Sequence, residues 1–214
     1  MIDVLKHTSE VFNEDCMVGM ARYPDKYFDL AVVDPPYGIE TRGNAQDRFR
    51  NGMQLQTVND NRPTKYYFDN LFRISKHQII WGYNWLSDML PICREYVFWY
   101  KSQPVITFAD GELAWTSFQK TAKCFNYPFY KSNIDNAGNK IHPTQKPVAL
   151  YDWIYKNYLP NGGKVIDTHL GSGSNRIAAN KAGNIDFVGF ELDKDYYEAQ
   201  EKRWRGFINQ TRLF

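Results

Sequence analysis

Cysteine is scarce in this chain. Cys16, Cys93 and Cys124 are the only three among 214 residues. Their number is odd, and no pair has the spacing of a metal site, so neither a disulfide framework nor a metal centre is expected. A reducing interior is the expected setting. Long apolar runs are also missing: no stretch of 18 apolar residues is present, so no membrane-spanning helix is expected. The opening MIDVLKHTSE carries no apolar run behind a basic start, and no signal peptide is read there. Internal repeats and low-complexity tracts are absent from the sequence. An excess of one charge is missing too. Lysine and arginine number 26 against 24 acids, for a net charge of +2 and a pI near 8.3. That balance neither requires nor excludes a nucleic-acid partner, so local patches must decide.

What is abundant is aromatic carbon, at 16% of residues within a hydrophobic total of 43%. The length suits one large domain spanning residues 1–214. Strand-like and helix-like segments alternate along it. A short strand precedes Cys16, and a turn of helix follows over residues 17–21. DLAVV (29–33) is continuously apolar, as in a central parallel strand covered on both faces. Residues 39–63 form a long polar loop, of the kind that is functional when it occurs inside a domain. Residues 65–75 pattern as an amphipathic helix with Tyr67 or Phe68, Leu71, Phe72 and Ile74 on its apolar face. HQIIWG, EYVFWYK and ELAWTSF read as strands, with a short helix over residues 84–90. Residues 119–140 read as irregular and basic. A helix over 146–159, with Pro147 in its first turn, precedes a strand, a glycine loop, a helix over 174–182, the strand DFVGFEL and a helix over 194–205. This order predicts an α/β fold: a mostly parallel Rossmann-like sheet with helices on both faces.

Two places carry chemistry. VIDTHLGSGSNRIAA sets Asp167, Gly171 and Gly173 between a strand and a helix, and Glu191 ends the next strand. Glycines there let a cofactor approach the backbone, and an acid about 20 residues on can bind ribose hydroxyls. Arg176 stands where a dinucleotide site would want its third glycine, so a ribosyl cofactor without phosphates fits better. The competing reading is a simple tight turn. The second place is Asp34-Pro35-Pro36-Tyr37 at the end of DLAVV. An exocyclic amine is a poor nucleophile because its lone pair is conjugated with the ring. Two acceptors on its two N–H bonds, the Asp34 carboxylate and the Pro35 carbonyl, would favour a more pyramidal and reactive nitrogen. Proline removes backbone donors that would compete. Tyr37 can stack on the base, which contributes about 1–3 kcal/mol in single-strand binders. The base would have to leave the duplex first. The bland alternative is a turn after a strand.

DPPY (34–37), HPTQKP (142–147) and DTHLGSG (167–173), in that order, resemble the β-class DNA amino-methyltransferases, which act on adenine N6 or cytosine N4. SKHQIIWG (75–82) and FADGELAWTSF (108–118) resemble segments of phage-type members. The resemblance spans nearly the whole chain. It implies a circularly permuted class I methyltransferase fold, S-adenosyl-L-methionine as cofactor, DNA as substrate, and a bacterial or phage-infected cytoplasm as the setting. It also implies roles. Asp34, Pro35, Pro36 and Tyr37 form the catalytic tip. Asp167, Gly171 and Gly173 lie against the methionine and ribose parts, and Glu191 binds the ribose hydroxyls. Asp15 and Cys16 lie near the cofactor's adenine, and Thr144, Gln145 and Lys146 line the methionine end. Aspartate rather than serine in DPPY favours adenine. Cytosine N4, RNA adenine, and an inactive cofactor- or DNA-binding module stand as alternatives. Many members have Pro-Phe where this chain has Thr168-His169, so His169 either lines the cofactor site or is a hydrogen-bonded residue behind it.

Two basic stretches are candidates for phosphate contacts: Arg42, Arg48, Arg50, Arg62 and Lys65 in the loop, and Lys120, Lys123, Lys131, Lys140 and Lys146 later on. Scattered solvated charge is the competing reading for each. Only the short segment 119–145 is available as a recognition region. A short or relaxed target sequence is therefore expected, or reading through a homodimer.

Overall fold

β2 (Phe28–Val33) shows why the run from Leu30 to Val33 is continuously apolar. Its side chains alternate between two separate cores: Leu30 and Val32 face one, Ala31 and Val33 the other, and all four are buried. A strand sandwiched in this way has no polar face to display. The computed structural model describes residues 7–38, 61–102, 109–128, 140–142 and 144–211.

The remaining strands are β1 (Ser9–Phe12), β3 (Ser75–Trp81), β4 (Tyr96–Tyr100), β5 (Gly111–Thr116), β6 (Lys123–Asn126), β7 (Gly163–Asp167) and β8 (Ile185–Phe190). The helices are α1 (Cys16–Met20), α2 (Lys65–Ile74), α3 (Tyr83–Leu86), α4 (Val148–Tyr158), α5 (Ser174–Ala182) and α6 (Lys194–Thr211). One sheet joins all eight strands in the order β1-β8-β7-β2-β3-β5-β4-β6. Every pairing is parallel except those of β5, which runs against both β3 and β4. The expected mostly parallel sheet with helices on both faces is therefore observed. α4 and α5 cover one face through Leu150, Ile154, Tyr155 and Ala178. α1, α2 and α3 cover the other through Met20, Phe68, Leu71 and Leu86.

Strand order reverses between β7 and β2. From β7 the chain proceeds outward to β8, and from β2 it proceeds the other way to β3. Such a switch point opens a crevice beyond the carboxyl ends of the two strands. Both chemical motifs of the sequence emerge there, DPPY after β2 and the glycine loop after β7.

Several expectations need correction. Residues 123–126 are not irregular but form β6, an edge strand parallel to β4. Its inner contribution is mainly Phe125, too little for a readable alternation. The helix expected over 84–90 is only the short α3, which begins at Gly82 in a left-handed conformation. Pro147 caps α4 rather than entering it, and Lys146 lies outside the helix. α6 runs on to Thr211. No helix among the described residues is long and apolar enough to cross a membrane.

Candidate active site

The tip of β2 is held by charge as well as by proline stiffness. One oxygen of the Asp34 carboxylate accepts a short hydrogen bond from the Tyr37 hydroxyl. The other pairs closely with Lys146 Nζ. Lys146 Nζ also lies 3.1 Å from Glu112 Oε2, and Lys101 Nζ lies 2.6 Å from Glu112 Oε1. The Lys146 side chain is only 3% exposed, against 17% for Asp34. Burial alone would push the lysine toward neutrality, but Asp34 and Glu112 outweigh it and raise its pKa. Burial likewise opposes ionisation of Glu112, yet Lys146 and Lys101 hold it down at about 2. Lys146 is therefore an ammonium and Glu112 a carboxylate at neutral pH. The Lys146 ammonium also sits 5.3 Å above the centre of the Trp81 ring.

Tyr37 is fixed at both ends. Its hydroxyl donates to Asp34, and its ring lies where a side chain at Gly82 would be. Burial, then the Asp34 charge, keeps the phenol well above its usual pKa, so it remains a donor.

Across the switch point, Asp167 ends β7 and each of its oxygens accepts one hydrogen bond from protein. Its Oδ1 accepts from the His169 N–H at 3.1 Å and its Oδ2 from Asn175 Nδ2 at 2.9 Å. Asn175 also donates to the Val32 carbonyl at 3.1 Å, which ties β7 to β2 directly below Asp34. Burial pushes the Asp167 carboxyl up to about 7, with Asp34 and Glu191 adding to the rise. Gly171 and Gly173 both have positive φ, at 51° and 71°. Residues with a Cβ adopt such angles at a cost, so the loop shape demands glycine. Glu191 closes the loop: Oε2 accepts from the Gly171 N–H at 2.7 Å and Oε1 from the Asp193 N–H at 3.0 Å. Burial raises its pKa.

His169 joins a chain of hydrogen bonds. Its Nδ1 lies 2.9 Å from Thr168 Oγ1, which lies 2.6 Å from the buried Tyr67 hydroxyl of α2. Burial lowers its pKa to about 4, so the ring is neutral. The hydroxyl of Thr168 thus replaces apolar packing with a polar link to α2.

The other expected cofactor residues take more local roles. Asp15 caps α1, accepting from the Met17 N–H at 2.8 Å. Cys16 is pushed up to about 12, chiefly by burial, so its thiol is no nucleophile. Thr144 Oγ1 lies 3.1 Å from His142 Nδ1, and the His142 ring packs against Tyr196 and beside Gly171. Gln145 Oε1 accepts from the Ile141 N–H at 3.1 Å, while its buried Nε2 has no partner among the described residues.

Arg176 is not a defect in a phosphate cradle. It is buried, donates to Ser9 Oγ and Gln200 Oε1, pairs with Glu201 and stacks on Trp204. The residue fastens α5 to β1 and α6.

The basic patches fare unevenly. Arg62 is engaged with Asp88 and the Trp85 carbonyl, and Lys65 with Asp69. Lys146 is buried in the Asp34 cluster and is removed from the phosphate-contact set. Lys120 is exposed, and Lys123 is half-buried beside Tyr96, Phe98, Leu113 and Cys124 on the outer sheet edge. Arg42, Arg48, Arg50 and Lys131 lie outside the described residues, as do Phe129 and Tyr130. Tyr127 stacks on Phe125, which places it in the packing.

Sequence reasoning missed Glu112, Lys101, Trp81 and Asn175. Glu112 lay in plain view within FADGELAWTSF, an acid two residues before a buried Ala-Trp pair. Its pairing across strands to Lys101 and Lys146 has no signal in spacing.

Comparison with known proteins agrees with this geometry. Residues 75–202, more than half of the chain, match the N6/N4 methyltransferase family model, described as DNA methylase. The type II methyltransferase M.HinfI of Haemophilus influenzae is 24% identical over 245 residues, covering 91% of this chain and 68% of the relative. The putative methylase YubD of Escherichia coli (strain K12) is 23% identical over 210 residues, covering 91% and 89%. Among solved structures, the complex of M1.HpyAVI with SAM superposes with a TM-score of 0.62 at 17% identity, covering 92% of this chain and 100% of that one. PvuII DNA methyltransferase, cytosine-N4-specific, gives 0.60 at 14%, covering 92% and 87%.

Proposed function

The chain belongs to the N6/N4 DNA methylase family, and from that premise we propose that it methylates the N6 amine of adenine in DNA, using S-adenosylmethionine. The observation that supports this reading most is the meeting of Asp34 and the glycine loop at one switch point, at the carboxyl ends of neighbouring strands.

The residues fit the cofactor. Glu191 is held by two backbone N–H groups and keeps further lone pairs for two ribose hydroxyls. Gly171, at φ +51°, bares its backbone beside the His142 ring, 3.6 Å from where a Cβ would lie. Asp167, buried and poised near neutrality, suits a cationic amine on the ligand. When bound, the cofactor supplies an electrophilic methyl group on a sulfonium centre.

The remaining work falls to the tip. The target base leaves the duplex, since its amine is otherwise paired. Asp34 accepts from one N–H of the amine and the Pro35 carbonyl from the other, while the imide at Pro36 offers no competing donor. Tyr37, fixed by Asp34 and by the gap at Gly82, offers its ring to the base. Asp34 is paired with Lys146. Its task is to orient and polarise the amine, and the displaced proton passes to it or to water.

Adenine is preferred because the tip carries aspartate. The same two acceptors would serve cytosine N4, which makes that the second reading. Incubation with DNA and labelled cofactor, followed by nucleoside analysis, is expected to yield N6-methyladenine. N4-methylcytosine would overturn the adenine assignment. Full turnover by Asp34→Ala, with cofactor binding intact, would overturn the mechanism.

A further inference from the structure

The Asp34 carboxylate is the inner end of a row of four alternating charges: Lys101, Glu112, Lys146 and Asp34. The outer pair is built into the sheet. Glu112 stands opposite Trp99 in the β4–β5 register, and Lys101 follows β4 directly, its ammonium 4.9 Å above the Trp99 ring. The inner lysine rests over Trp81. The Trp81 ring and two neighbouring carboxylates thus leave Lys146 little freedom.

This row bears on a difficulty in the proposed chemistry. An amine entering the site must use the remaining lone pairs of two Asp34 oxygens that each accept once already, one from Tyr37 and one from Lys146. A neutral N–H competes poorly with an ammonium for a carboxylate. An ammonium has three donors and can divide them between two acids. Glu112 takes one share at 3.1 Å. We infer that Glu112 is a positioning residue for methyl transfer: by sharing the Lys146 ammonium it keeps the lysine seated and leaves Asp34 with capacity to accept the amine. This rests on the assignment of Asp34 to the amine.

The argument separates sharing from mere neutralisation. Glu112→Gln leaves two ammonium groups around one carboxylate and drives Lys146 fully onto Asp34. Adding Lys101→Met restores the charge balance but not the sharing. Glu112→Asp keeps the acid.

The test compares these variants in the full chain by steady-state methyl transfer to DNA, cofactor binding by calorimetry, and thermal unfolding. For Glu112→Gln, kcat is expected to fall roughly 100-fold, as for an ångström-scale misplacement of a reacting group, with cofactor affinity unchanged. Glu112→Asp is expected to recover most of the rate. The Lys101→Met/Glu112→Gln pair is expected to fold well and remain slow, and it carries the test if the single variant does not fold. Wild-type kcat in Glu112→Gln overturns the inference. So does a loss confined to KM or cofactor affinity, or a double variant restored to full rate. A wild-type chain that methylates no amine overturns the function itself, and is distinguished from these outcomes by its own inactivity.

Discussion

Replacing Gly82 by alanine tests whether the proposed catalytic tip depends on the close approach of Tyr37. Gly82 has φ +80°, and a Cβ there would lie 2.6 Å from Tyr37 Cζ and nearer still to Cε1. Gly82 cannot yield easily: its N–H bonds to the Leu113 carbonyl at 2.9 Å, and its own carbonyl accepts from Trp85 and Leu86. The ring must therefore retreat by roughly an ångström to reach ordinary contact distance. A shift of that size costs on the order of 100-fold in rate. The backbone strain is a separate quantity, about 1–2 kcal/mol for a left-handed residue bearing a Cβ. In a chain of 214 residues that lowers Tm by roughly 2–8 °C. Gly183→Ala separates the two effects. Gly183 has φ +72° and nothing within 4 Å of its would-be Cβ, so it carries strain without a clash. Labelled methyl transfer and thermal unfolding, run on both variants, should show similar losses of stability and a large loss of rate in Gly82→Ala alone. Equal rates in the two variants would refute the role given to Tyr37.

Two other perturbations follow from the site. Asp167 is an acid whose folded pKa is raised by burial to about 7, so the stability contributed by its neutral form is fully present below the ordinary carboxylate range. That stability is lost as pH rises through about 7 in the unliganded protein. A cationic ligand prefers the ionised form, so cofactor affinity should rise roughly tenfold per unit below that pKa and level off above it; a flat calorimetric profile between pH 5 and 8 would contradict the assignment. Arg176→Ala leaves Glu201 without its buried partner, and urea unfolding should register a loss of about 3–5 kcal/mol. A loss under about 1 kcal/mol, the range of exposed pairs, would mean that Arg176 is not the fastener described.

The fold was legible wherever burial left a clear period. Residues 30–33 of β2 are all apolar because both faces are covered there, and α2 shows its buried stripe in Tyr67, Phe68, Leu71 and Ile74. β6 was illegible because an edge strand of four residues buries little beyond Phe125. The motif at the tip could be read locally, since Asp34, the two prolines and Tyr37 are contiguous. What secures the tip could not. Lys146, Glu112 and Lys101 come from three separate parts of the chain, and only the antiparallel insertion of β5 brings the last two together. Arg176 was noticed for the glycine it displaced, but its value lies in a pairing with α6 that no motif encodes.

The position of β2 also sets the order in which this protein can be made. Its neighbour β7 begins about 130 residues downstream. At synthesis rates of about 5–20 residues per second, β2 leaves the ribosome roughly 7–26 seconds before that partner exists. Until then one long side of this largely apolar strand is an open edge, and β1 waits longer still for β8. The nascent chain therefore spends its vulnerable interval with a sticky edge uncovered. Expression should improve with slower initiation, lower temperature or added holdase chaperones more than with any change at the protein's finished surface.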